Sequence, residues 1–310
     1  MTEPERGPRQ PPDPFLTESA LAGRSARIGL ACAVMSAIAY GANIVGARIV
    51  ADFGMSGAVV VAWRTLLMLA ALIILALILR VPLAVAPPFR RAVALLGATS
   101  ALIGTAYLSS VAFLPVSVAV VIFYTFPILV VLAEPFVMGG RFGLARLALA
   151  AIAFCGVAMV VGPDAGRVDW RGVALAGAAS LGAAVQFFAA RRCAEVPPVA
   201  KLFWVNLIVS PVVLCVVQLT GGFAPLSAIG QAPIAFAVAV GGFFVGIILQ
   251  FAALSRTSAS AAALAFCLEP VAAAGFAALM LGERMSGLQY VGVALVLGAV
   301  AANVRREAGT

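Results

Sequence analysis

Residues 258–284 read SASAAALAFCLEPVAAAGFAALMLGER. The run is long enough to cross a bilayer, since about 20 mainly apolar residues span the hydrocarbon core. Yet it sets a Glu-Pro pair, Glu269 and Pro270, near its middle. A charge at that depth costs about 2.5–3.5 kcal/mol on the insertion scale. Pro270 has no backbone N–H to donate and frees the carbonyl of Phe266, which then needs another partner. A chain that tolerates both groups faces them toward the protein interior or toward a water-accessible cavity.

The same pattern occurs earlier in the chain. At an offset of 143 residues, SVAVVIFYTFPILVVLAEPFVMGGR (117–141) falls on residues 260–284. Ser117 meets Ser260, Phe123 meets Phe266, Pro127 meets Pro270, Gly139 meets Gly282 and Arg141 meets Arg284. An offset of 141 sets Trp63 on Trp204. Ala-rich sequence matches itself by chance, so the repeat rests on the ordered Pro, Gly and Arg.

The 310 residues are 64% hydrophobic and 10% charged, against roughly 45–50% and about 25% in soluble domains. The apolar residues fall in ten blocks: 28–51, 57–79, 92–114, 117–138, 143–162, 170–190, 198–219, 231–254, 258–281 and 286–304. The connections are short, so no soluble catalytic or nucleotide-binding domain fits between them. Five crossings per unit is an odd number, so the second unit enters the membrane from the opposite side. The expected fold is all-α and integral to the membrane, with ten transmembrane helices in two inverted five-helix repeats, 28–162 and 170–304. Two packed bundles of five are expected. Residues 1–27, rich in Pro and charge, are read as a disordered cytoplasmic tail, and 305–310 as a second short tail.

A net charge of +8 raises the question of nucleic acid. The basic residues instead flank the apolar blocks, the pattern of the positive-inside rule, and none cluster with exposed aromatics. With the N-terminus inside, only Arg48, Arg167, Arg171 and Arg284 fall outside. The other basic residues fall inside, Arg64 excepted, which lies within a block. Both termini are expected to be cytoplasmic. No His occurs, which excludes His relays and His metal sites. The five Cys are scattered, without disulfide or metal-ligand spacing.

Three motifs carry a resemblance: Leu268-Glu269-Pro270 followed by Gly282-Glu283-Arg284, AYGANIVGARIV (39–50) and AWRTLLM (62–68). With the ten-helix, two-unit plan, they resemble the drug/metabolite transporter superfamily in its EamA-domain branch. The likeness covers roughly residues 28–304. It departs at Gly139-Gly140-Arg141, where the first repeat lacks the Glu of Gly-Glu-Arg. The resemblance implies a transporter of small metabolites, with amino-acid export foremost.

Matched helix interruptions in two halves are the best sequence pointer to a transporter site, so Pro127 and Pro270 are read as hinges or cavity walls. The alternative is a kink that only shapes packing. Glu269 is open to three readings: a proton acceptor, a ligand for a substrate amino group, or a structural carboxylate paired with Arg64 or backbone donors. Arg64 is read as an interfacial anchor or ion-pair partner, and Glu134 as paired with Arg141 or Arg146. Polar groups at mid-helix depth complete the candidate cavity: Tyr40, Asn43, Tyr107, Tyr124, Gln186, Asn206 and Gln250, with Phe266 among the aromatics. Each could equally bond a neighbouring helix, an interaction worth about 0.6 kcal/mol on average in membranes. Tyr107 and Gln250 align at the 143 offset and are expected to face each other. Gly242 and Gly246 mark close helix packing, and Trp63 and Trp170 read as interface anchors.

The expected function is a secondary transporter exporting small polar metabolites, amino acids first, across a bacterial-type inner membrane by alternating access. Its expected partners are the solute and the lipid bilayer, with no nucleic acid and no cofactor. There is no Walker-type loop, no Gly-x-Ser-x-Gly motif and no clustered carboxylates, so an enzyme is not expected. The second reading is a non-transporting or lipid-handling membrane protein.

Overall fold

The structure, a computed structural model, describes residues 14–139, 142–162, 168–223 and 227–308. Thirteen helices occur among the described residues: α1 (Pro14–Ala51), α2 (Gly57–Leu79), α3 (Pro87–Ser110), α4 (Val116–Phe123), α5 (Phe126–Met138), α6 (Leu144–Val161), α7 (Trp170–Arg192), α8 (Pro198–Leu219), α9 (Ser227–Gln231), α10 (Pro233–Leu254), α11 (Ala259–Phe266), α12 (Leu268–Leu281) and α13 (Gly287–Ala308). Ten candidate spans result, because α4 with α5 forms one (Val116–Met138), α11 with α12 forms another (Ala259–Leu281), and the five-residue α9 is too short to cross. Each span agrees with an expected block to within a few residues at its ends.

One expectation fails at the N-terminus. The tail read as disordered through residue 27 is helical from Pro14. Pro14 suits a first helical position, and Leu16, Glu18, Ala20, Leu21 and Ala22 are strong helix formers. Residues 1–13, including Arg6 and Arg9, lie outside the described residues, as do Gly140, Arg141 and Arg167.

Local chemistry sets the helix ends. Ser56, Asp169 and Ser258 accept from backbone N–H groups of α2, α7 and α11, satisfying donors that helix starts leave free. Pro87, Pro198 and Pro233 occupy first helical positions. Gly162 and Gly282 end α6 and α12 at φ 59° and 69°, a backbone region that side chains resist. At the face where α1 begins and α13 ends, here the basic face, cations cap helix C-termini. Arg191 donates to the Leu254 and Thr257 carbonyls at 3.1 and 2.6 Å, and Lys201 to that of Cys193 at 3.0 Å. Positive charge there complements the helix dipole.

The two repeats do not form separate bundles of five. The most extensive helix pairings cross between them: α1 with α10, α3 with α7 and α8, α6 with α13, and α2 with α8. Small residues permit this interlocking, which sequence periodicity does not reveal. A Cβ on Gly242 would sit 2.7 Å from the Ala39 carbonyl oxygen, and one on Gly246 2.7 Å from the Tyr40 ring. At the other long seam, a Cβ on Gly156 would meet the Gly292 carbonyl at 2.8 Å. In a membrane, close backbone approach replaces the hydrophobic drive that water supplies elsewhere.

Candidate functional site

Both proline positions break their helices at matching places. α4 and α11 occupy positions 143 residues apart from first residue to last, and each ends one or two residues before the next helix. Pro127 is the second residue of α5 and Pro270 the third of α12, and both are buried. Those are positions where a missing N–H costs least, because the first turn of a helix has no partner for it. Aromatic side chains converge beside both breaks, Phe187 bridging Phe126 and Phe266.

A chain of rings surrounds that point. Tyr107 packs on Phe123 at 5.5 Å between centroids, and Phe123 on Tyr124 and Phe126 at 5.5 and 5.4 Å. Phe126 contacts Phe187 at 5.3 Å, Phe187 contacts Phe266 at 5.4 Å, and Tyr40 lies 6.0 Å from both Phe266 and Phe243. The arc joins residues of α1, α3, α4, α5, α7, α10 and α11. Glu269, in the first turn of α12, faces Tyr124 and lies in the field of Arg64.

Of the sequence candidates, Tyr40, Asn43, Tyr107, Tyr124, Phe266 and Glu269 gather around this point. The Tyr40 hydroxyl donates to Gln250 Oε1 at 2.9 Å, bringing Gln250 in as well. Tyr107 and Gln250 are therefore not partners: residues related by a pseudo-axis meet only when they lie on it. Asn206 turns back to its own helix, donating to the Leu202 carbonyl at 2.8 Å. Gln186 bonds Ser100 of α3 at 2.7 Å. The Asn206 bond stays within α8, and the Gln186 bond joins α7 to α3.

Arg64 is neither an interfacial anchor nor a contact ion pair. Its Nη1 donates to Asn43 Oδ1 at 3.2 Å, and its guanidinium lies 4.0 Å from the centroid of the Phe243 ring. Asn43 in turn donates to the Ala239 carbonyl. Trp170, 74% exposed, does sit at a helix end as an anchor would, whereas Trp63 packs edge-on against Phe223.

A second polar cluster closes the basic face. Glu134 of α5 accepts from the Ser260 N–H of α11 at 3.2 Å and also from its hydroxyl. Arg146 of α6 lies 3.5 Å from Glu134, donates to Ser260 Oγ at 3.0 Å, and pairs with Glu307 of α13. Of the two expected partners for Glu134, Arg146 fills the role. A cleft of about 380 Å³ opens here, lined by Glu134, Arg146, Arg191 and Ser258 among others.

Closure is unequal between the repeats. All eight residues of α11 are buried, none more than 3% exposed. In α4, only Ala119 is buried, and Val116 is 60% exposed. The counterparts of Glu134 and Arg146 at the 143 offset are Ala277 and Gln289, so the charged cluster is not repeated on the opposite face.

The fold defines a multi-pass integral membrane protein built from two five-helix units with paired helix breaks. Residues 27–162 and 170–305 each match the EamA-like transporter family, and the chain belongs to that family, one of transporters and not enzymes. A solved crystal structure with 19% sequence identity has a TM-score of 0.72, covering 92% of this chain and 98% of its own, a likeness of fold. No curated protein matches the chain.

Proposed function

We propose that the protein is a secondary transporter exporting small polar metabolites, amino acids first among them, across a bacterial-type inner membrane. Alternating access takes place about the ring-lined midplane chamber. The observation that carries this reading is the pair of matched helix breaks with unequal closure. An inverted repeat can exchange the conformations of its halves. In the state described, α11 seals the basic face against α5, α6 and α13. In the opposite state α11 loosens and α4 packs inward. Pro127 and Pro270 mark where each broken helix bends, so movement there breaks no regular helical hydrogen bond. The placement of Arg and Lys supports a cytoplasmic basic face, with both termini on that side. Energy comes from a solute or ion gradient.

The test is counterflow. Purified protein in liposomes preloaded with an unlabelled amino acid should accumulate the labelled one above empty liposomes. Movement of labelled lipid between leaflets, without solute flux, would favour the lipid-handling reading instead.

A further inference from the structure

Among the described residues of the spans, two charges lie away from helix ends: Arg64, two turns inside α2, and Glu269 at the break of the ninth span. They share one site. The guanidinium stacks on Phe243, Tyr40 packs on Phe243 and Phe266, and Glu269 follows Phe266 by three residues. Tyr40 and Arg64 lie in each other's field and in that of Glu269, and Glu269 lies in the field of Arg64 and hydrogen-bonds with Tyr124. Yet no ion pair joins Arg64 to Glu269. Opposite charges in a low-dielectric interior attract strongly, so a pair held apart suits a guest that carries both complementary charges. All three residues are half-buried, so each keeps some accessible surface.

Arg64 also has an unused edge. Nη1 is taken by Asn43, while Nε is buried with no partner and Nη2 makes no hydrogen bond among the described residues. Nε and Nη2 form the side of a guanidinium that grips a carboxylate with two parallel bonds. A buried donor without a partner calls for an explanation, and a ligand supplies one.

We propose that the chamber takes an amino acid as its zwitterion. The carboxylate lies on the Nε–Nη2 edge of Arg64, the ammonium on the Glu269 carboxylate, and an apolar side chain against the rings of Tyr40, Phe243 and Phe266. This assignment rests on the transport reading above and gives it a two-point recognition rule. Arg64 and Glu269 have no charged counterparts in the other repeat. Val205 stands opposite Arg64 at the offset of 141, and Phe126 opposite Glu269 at 143. The site is therefore one asymmetric pocket, able to fix the orientation of a single small molecule.

The experiment measures competition against counterflow of labelled leucine by purified full-length protein in liposomes. The competitors are leucine, leucinamide (no carboxylate) and 4-methylpentanoate (no ammonium). Losing a bidentate bond to a charged group should weaken competition about ten- to hundredfold, so both analogues should compete that much more poorly than leucine. Arg64→Gln should abolish the preference for leucine over leucinamide and keep that over 4-methylpentanoate, and Glu269→Gln should do the reverse. Arg64→Lys, which keeps the charge without the paired edge, should retain part of the first preference. Should the variants fail to fold, the wild-type analogue series decides alone. Equal competition by either analogue overturns the assignment. Exchange of a labelled sugar or nucleoside but not of leucine overturns it while leaving transport intact. Exchange of none of these solutes overturns both readings.

Discussion

α4 and α11 hold the same place in two repeats and have the same length, eight residues. α11 is built from Ala and Ser around Leu264 and Phe266, and packs on every side. α4 is built from Val and Ile around Phe123, and packs mainly through Ala119. The difference is one of side-chain volume as well as conformation. Small residues let α11 approach α5 and α1 closely enough for Glu134 to reach the N-terminus of α11, where its free N–H groups and positive dipole end favour a carboxylate. The bulkier α4 has no such carboxylate opposite it, because Ala277 stands where Glu134 would be. Two homologous breaks thus sit in differently packed surroundings. On the alternating-access reading proposed above, equal halves would populate both states equally, and the extra contacts of α11 should favour closure of the basic face.

The largest expected effect separates the two helices by packing. Ala263→Phe forces a ring into α11, where no space is accessible. It should cost about 3 kcal/mol or more, seen as loss of folded, monodisperse protein in detergent. Val120→Phe, its counterpart in α4, should stay within about 1 kcal/mol. Next, Glu134→Ala removes the acceptor of Ser260 and a partner of Arg146. It should lower stability by about 1–3 kcal/mol and increase labelling of a Ser258→Cys probe from the basic face. Converting the opposite face with Ala277→Glu and Gln289→Arg together should reduce the bias, and the same probe would register it. Pro127→Ala and Pro270→Ala should each slow counterflow several-fold while insertion and folded yield persist, with unchanged rates placing the hinge elsewhere. The smallest effect is at the surface. Arg48 and Glu283 pair at 2.7 Å but are 59% and 46% exposed, so Arg48→Ala should change stability by no more than about 1 kcal/mol.

Much of the architecture was readable before any coordinates. The spans follow from uninterrupted apolar length, and the matched breaks follow from Pro127 and Pro270, because a missing N–H acts locally wherever the helix sits. What sequence did not convey is tertiary. The expected bundles of five gave way to interlocked repeats, since contacts of α1 with α10 and α3 with α7 depend on which small faces meet. Tyr107 and Gln250 were matched by offset, yet Gln250 bonds Tyr40, because symmetry relates positions without making them neighbours. Asn206 and Gln186 showed only that polar groups exist at depth, and their partners turned out to be a carbonyl one turn back and a serine on α3. The site role of Arg64 is hidden in the sequence because a long side chain two turns from a helix end can snorkel. A usable signal was present all the same. Arg64 and Glu269 are charges well inside their spans, and the other repeat is apolar at the same places.

The central claim is that one broken helix is sealed while its twin is not. Its most direct measurement is cysteine accessibility in protein whose five native cysteines have been replaced. Single cysteines at Val120 and Ala263 would be treated with a membrane-impermeant maleimide from each side of sealed vesicles. The account predicts labelling at position 120 from the face opposite the basic one, and little at 263 from either side until Glu134 is removed. Equal labelling at the two positions, or labelling at 263 with Glu134 in place, would contradict it.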